Sequence, residues 1–240
     1  CWSAISIYPG LWPLSNVVAL PMTGANSMEV MNSAMNDLMA TEEFNAEWDN
    51  VHRVAFHVTT PAAFIFKDRV DTMQAIVGNT IRTNCSEATP WLDTLGAIPV
   101  SVSSNDGYEA ISKGTVEGGL WWMDQLESNA LYEVVDTVIY GPVEYCGMFL
   151  CVNKELYESM PADLQQLIDE SGDYYMSLLP DAYYTQEEKV IGLLNDNDVD
   201  LIYTSDEDKA WLAEGAQASY DIYIESMNDL GYDGQAIFDS

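Results

Sequence analysis

Between residues 51 and 203 the chain alternates short apolar runs with amphipathic stretches of helical spacing, and this alternation restricts the fold more than any other feature. Apolar runs bounded by Gly, Pro or Asn predict strands at 51–58, 62–66, from Ile98, at 134–140, 148–152 and 200–203, and the segment 79–83 after Gly78 is predicted as another. Helical periodicity predicts helices over 27–48, 86–95, 105–112, 162–194 and 206–230. Asn26 with Glu29 has the spacing of a capping box, and Met28, Met31, Met35, Leu38 and Met39 form a stripe better suited to a core than to a cofactor. Pro180 is expected to kink or break the long helix. Strands interleaved with helices predict an α/β architecture with largely parallel sheets.

Charge narrows the possible partners. Only 8 Lys and Arg stand against 39 Asp and Glu, a formal net charge of −31, which argues against nucleic acid and anionic membranes as partners. No apolar run approaches the roughly 18 residues a membrane span needs, so no direct membrane insertion is expected.

Enzymatic and metal chemistry find little support. His52 and His57, five positions apart on one predicted strand, are expected to face opposite sides, as are Cys146 and Cys151, for which no disulfide is predicted. GxSxG, P-loop, GxGxxG and HExxH patterns are lacking. Asp196, Asp198, Asp200 and Glu207 follow the count of a calcium loop, but Leu201 stands where that loop turns on Gly, so they read as a solvated helix-to-strand connection. No enzyme, cofactor or metal is expected.

Binding is the remaining class. A short amphipathic turn over 72–77, stopped by Gly78, delivers the chain into the strand 79–83 and sets Arg82 near a strand end, where α/β folds hold ligands. Gly118 and Gly119 beside Trp121 and Trp122 mark a backbone that something approaches closely. The turn from Tyr8 through Pro9 to Leu14, with Trp12 between two prolines, presents rings to a pocket or packs them inward.

The stretch from Val70-Asp71-Thr72 to Gly78-Asn79-Thr80-Ile81-Arg82, then Leu95-Gly96-Ala97-Ile98-Pro99-Val100, then Tyr108-Glu109-Ala110 to Gly114-Thr115-Val116-Glu117-Gly118, resembles the solute-binding proteins of tripartite ATP-independent periplasmic (TRAP) transporters in order and spacing. Tyr8 to Leu14, Val152-Asn153-Lys154 and Met160-Pro161-Ala162-Asp163-Leu164-Gln165 are similar to further motifs of that family. The chain departs from the pattern at Ala75-Ile76, where Asp-Leu is usual, and at Trp121, where some members carry Asn; the strand-helix-strand start of the first domain is not found.

The resemblance implies a periplasmic-binding-protein-like, two-lobe α/β fold with an interlobe cleft, a long kinked connecting helix and an incomplete first lobe. Lobe I would be 1–60 plus 147–187, and lobe II 61–146 plus 188–240. It implies a periplasmic or extracytoplasmic receptor that binds a small organic acid and passes it to the membrane subunits of a TRAP transporter. Arg82 matches the family's carboxylate-binding arginine, with Trp121, Trp122, Trp12 and Tyr140 as candidate walls and Asn84 and Ser104 as polar contacts. The alternative is a truncated or repurposed interaction module that binds no solute.

Overall fold

The computed structural model describes residues 1–8 and 10–239; Pro9, in the predicted aromatic turn, lies outside the described residues. Strands β1 (Trp2–Ala4), β2 (Val51–Val58) and β8 (Gly147–Asn153) form an antiparallel sheet in the order β1-β8-β2. A six-stranded sheet follows the order β5-β4-β6-β3-β7-β9, built from β3 (Ala62–Phe66), β4 (Thr80–Thr83), β5 (Ile98–Ser101), β6 (Gly118–Trp122), β7 (Thr137–Tyr140) and β9 (Asp200–Tyr203). The helices are α1 (Met28–Met39), α2 (Glu42–Glu47), α3 (Ala88–Thr94), α4 (Gly107–Ser112), α5 (Met123–Ser128), α6 (Lys154–Glu158), α7 (Ala162–Asp196), α8 (Asp206–Asp229) and α9 (Gly234–Asp239).

The expectation of largely parallel sheets is corrected. β4 pairs in parallel with β5 and β6, and β7 with β9, but β3 runs antiparallel to both β6 and β7. Parallel neighbours need a crossover of about a dozen residues or more. β2 feeds β3 through residues 59–61 alone, so β3 enters the larger sheet straight from the smaller one.

β3 is buried along its whole length, which explains its unbroken apolar sequence. Phe64 and Phe66 pack with Trp91, Leu120 and Trp122 on one face of the sheet, while Ala63 and Ile65 pack with Trp121, Val138 and Tyr140 on the other. The period-two alternation of a strand therefore sends the adjacent Trp121 and Trp122 to opposite faces. A separate core beneath the smaller sheet holds the methionines of α1 together with Trp12, Trp48 and Phe149.

The helix expected over 27–48 is two helices. Ser27, not Asn26, caps the first, its hydroxyl accepting from Val30 N. The break falls where Thr41 takes an extended conformation and its hydroxyl donates to Leu38 O (2.7 Å). Conversely, α7 runs through Pro180 as one helix of 35 residues, about 50 Å long at 1.5 Å per residue. His52 and His57 do not face opposite ways: a bulge between Arg53 and Ala55 shifts the β2 register, and both rings reach α7. His52 Nε2 meets Asp169 at 2.7 Å and His57 Nε2 meets Tyr175 Oη at 3.1 Å. The acids after α7 also have an assigned task, since Asp198 and Asp200 pair with Arg69 at 3.0 and 2.5 Å.

Three connections join the sheets: residues 59–61, residues 141–146 and α7. The first two are zipped together, Thr59 N donating to Cys146 O (3.0 Å), Cys146 N to Thr59 Oγ1 (3.2 Å) and Ala62 N to Glu144 O (2.8 Å). α8 lies along α3, and its later residues Tyr223 and Met227 enter the core of the smaller sheet.

Candidate functional site

Arg82 is completely buried on β4, opposite Gly119 of β6. A Cβ on Gly119 would stand 2.7 Å from Arg82 Cβ and 2.5 Å from the Trp121 ring, and one on Gly107 would also meet that ring at 2.5 Å. These glycines open the slot in which the indole lies flat, with the guanidinium carbon 4.1 Å from its centre. The close approach expected at Gly118 and Gly119 is therefore made by the protein itself: Ile65 O beside Gly118, and Arg82 and Trp121 beside Gly119.

Three of the five guanidinium N–H groups are occupied. Nε donates to Val102 O (2.9 Å), Nη1 to Leu120 O (2.5 Å) and Nη2 to Ser104 Oγ (2.9 Å). All three acceptors are neutral. Burial lowers the Arg82 pKa to about 10, and the charge of Glu144 offsets part of that, so the group keeps its charge at neutral pH.

Glu144 is the other buried charge here. Desolvation raises its pKa from 4.5 to about 7, repulsion from Glu87 adds to the rise, while Cys85 and Arg82 pull it down; its Oε1 has no hydrogen-bond partner. Between pH 4.5 and about 7 the unfolded chain ionises this carboxyl while the native state keeps its proton. Stability from this group is thus complete below pH 4.5 and falls as pH rises through the window. Unfolding by urea across that range should show wild type losing about 3 kcal/mol relative to Glu144→Gln. A wild-type-to-variant difference that stays constant with pH would contradict the assignment.

Between the two sheets lies a cleft with two compartments. The larger, about 610 Å³, is lined among others by Ser6, Thr83, Asn84, Ser101 and Ser104. The smaller, about 260 Å³, is bounded by Trp2, Ala4 and Met148 from the smaller sheet, Trp122 from the larger, Asp124 from α5 and Tyr183 from α7. Ser6, Ile7, Asn84 and Ser104 line both.

The candidate residues divide accordingly. Asn84, Ser104 and Trp122 face the cleft, Arg82 stands immediately behind Ser104, and Trp121 lies under Arg82. Trp12 and Tyr140 stand apart. Trp12 stacks on Trp48 at 4.1 Å, and Tyr140 donates its hydroxyl to Glu187 of α7. Sequence reasoning missed Asp124, Gln125, Tyr183 and Glu144. Nothing in the sequence set these residues apart, since 39 Asp and Glu are spread along the chain.

The site can receive an anion without a direct view of the guanidinium. Ser104 Oγ accepts from Arg82 and keeps its own proton to donate into the cleft, while the charge behind it is neither solvated nor fully neutralised.

The sequence model described as "Bacterial extracellular solute-binding protein, family 7" matches residues 1–226. A marine metagenome TRAP solute-binding protein, solved with metahydroxyphenylacetate, superposes with a TM-score of 0.89 at 22% identity, covering 99% of this chain and 76% of that one. One from Rhodoferax ferrireducens T118 with copurified benzoate gives 0.88 at 22% identity, covering 99% and 75%. Another, from Desulfovibrio salexigens with orotic acid, gives 0.84 at 16% identity, covering 99% and 78%. These likenesses concern the fold, and this chain spans about three quarters of each structure.

Proposed function

The chain belongs to family 7 of the bacterial extracellular solute-binding proteins, and from that premise we propose that it is the extracytoplasmic receptor for a small organic acid, which it delivers to the membrane subunits of a TRAP transporter. It is a binding receptor, not an enzyme. Structural relatives solved with metahydroxyphenylacetate, benzoate and orotic acid support a carboxylate as the ligand class. The observation that carries the reading is the under-neutralised guanidinium of Arg82 behind a hydroxyl that opens onto the interlobe cleft.

In this reading the ligand carboxylate sits at the Asn84 and Ser104 corner, accepting from the Ser104 hydroxyl with the Arg82 charge behind it. Removal from water strengthens both interactions, because the surrounding dielectric is low. The lobes are 1–60 plus 147–187 and 61–146 plus 188–240, with α8 bridging their cores and the zipped pair of connections acting as the hinge. Trp122 supplies an apolar wall. No helix among the described residues is long and apolar enough to cross a membrane.

Calorimetric titration with carboxylates and their amides tests this: acids should bind and amides should not, and equal binding of both would overturn it. Charge adds a kinetic prediction. A net charge of −31 repels an anion at long range, whereas Arg82 acts only near contact. Raising salt from about 10 mM to about 150 mM shortens the screening length from about 30 Å to about 8 Å and should speed association. A stopped-flow on-rate that falls with salt would contradict an anionic ligand.

A further inference from the structure

The smaller compartment has chemistry that a simple carboxylate leaves unused. Its floor on the larger sheet comes from Trp122, Asp124 and Gln125, at the junction of β6 and α5. Trp122 is about nine-tenths buried, yet its Nε1 has no hydrogen-bond partner, and neither does the buried Oε1 of Gln125. Buried polar atoms are ordinarily paired, and leaving one unpaired is costly. Both atoms are closed to solvent, so a ligand cannot reach them as the wall stands, whereas Asp124 keeps exposed surface at the compartment.

Asp124 sets the character of a ligand there. Among the described residues no Lys, Arg or His forms an ion pair with this carboxylate. Burial pushes its pKa up. An acid in this position repels a second anionic group and accepts from a hydroxyl or an ammonium. The other walls are Trp2, Met148 and Tyr183, which suit a flat apolar body. The compartment adjoins the Asn84 and Ser104 corner, so one compact ligand can touch both ends.

We propose that this compartment selects monocarboxylates built on a ring and carrying a hydrogen-bond donor, a hydroxyl or an ammonium, at the end remote from the carboxylate, and that Asp124 is the residue that accepts that donor and rejects dicarboxylates. The inference rests on the carboxylate reading above.

Calorimetric titration of the protein with benzoate, 3-hydroxybenzoate, 3-(aminomethyl)benzoate, isophthalate and neutral 3-methylphenol tests it. The donor-bearing acids should bind at least tenfold more tightly than benzoate, about 1.4 kcal/mol, and isophthalate should not bind. In Asp124→Asn the advantage of 3-(aminomethyl)benzoate should disappear and isophthalate should gain affinity, a reversal that general loss of structure cannot produce. The wild-type ranking decides the matter even if the variant does not fold. Equal binding of benzoate and its donor-bearing analogues, or tightest binding of isophthalate, would overturn the role of Asp124 while leaving the carboxylate reading intact. Binding of 3-methylphenol with no binding of any acid would remove the carboxylate reading and retain Asp124 as the acceptor. Silence from all five probes would remove both.

Discussion

Replacing Arg82 with alanine should sharply weaken the binding of a carboxylate ligand. The guanidinium is fully buried, charged and held by Val102 O, Leu120 O and Ser104 Oγ. Truncating one partner of a buried, hydrogen-bonded charge pair costs about 2 to 5 kcal/mol, so affinity should fall about 30-fold to 5,000-fold. Arg82→Lys separates charge from geometry. An ammonium keeps the counter-charge to Glu144, but it lacks the planar fork that spans two carbonyls and a hydroxyl. The lysine variant should therefore remain folded and still bind at least tenfold more weakly, about 1.4 kcal/mol. Titration calorimetry with circular dichroism as the folding control measures both. Affinity within about threefold of wild type, a difference of less than 1 kcal/mol, in a folded Arg82→Lys would remove the arginine from the site.

Replacing Trp121 with alanine should produce the largest loss of stability. The ring has no exposed surface, fills a slot that exists only because positions 107 and 119 lack a Cβ, and forms the face on which the guanidinium rests. Truncating a buried Trp to Ala costs about 3 to 5 kcal/mol, since the cavity left behind refills only in part. For a chain of this size each kcal/mol lowers the melting temperature by about 2 to 4 °C, so the fall should be about 6 to 20 °C. Trp12→Ala provides the contrast. It also empties a stacked core position, against Trp48, but in the separate core beneath the smaller sheet. Both variants should melt early, and only Trp121→Ala should also lose carboxylate affinity. A melting temperature for Trp121→Ala within about 3 °C of wild type would show that the slot does not hold the sheet together, given the usual slope of about 2 to 4 °C per kcal/mol.

Much of the fold was legible because strands β2, β3 and β9 are short, mostly apolar runs with clear punctuation, and β4 follows the turn that ends at Gly78. Gly78, Gly96 and Gly114 mark chain reversals, and each has a positive φ. Strand direction was not legible, because nothing local distinguishes β3, entering from another sheet, from a strand that follows a crossover helix. Pro180 was read as a kink or break, yet α7 continues through it as one helix. The bulge in β2 was likewise invisible. It inserts one residue into the pairing, reverses the expected side-chain parity and brings His52 and His57 both to α7.

The candidate site was legible in part. Arg82, Asn84 and Ser104 come together because β4 and the turn after β5 end at the same edge of the sheet. Trp121 and Trp122 were grouped as walls, but period-two alternation gives one to the arginine and the other to the cleft. Trp12 shares their ring chemistry but belongs to another core. Asp124 and Glu144 escaped notice because a single acid in an acidic chain carries no signal until its burial is known.

The most direct measurement is a crystal structure of the protein with a bound monocarboxylate. A carboxylate oxygen should lie within hydrogen-bond distance, about 2.5 to 3.0 Å, of Ser104 Oγ. Asn84 should lie beside it, the Arg82 guanidinium directly behind, and the ligand body against Trp122. A carboxylate bound elsewhere on the molecule, or seated in the cleft with no contact to Ser104 or Arg82, would contradict it.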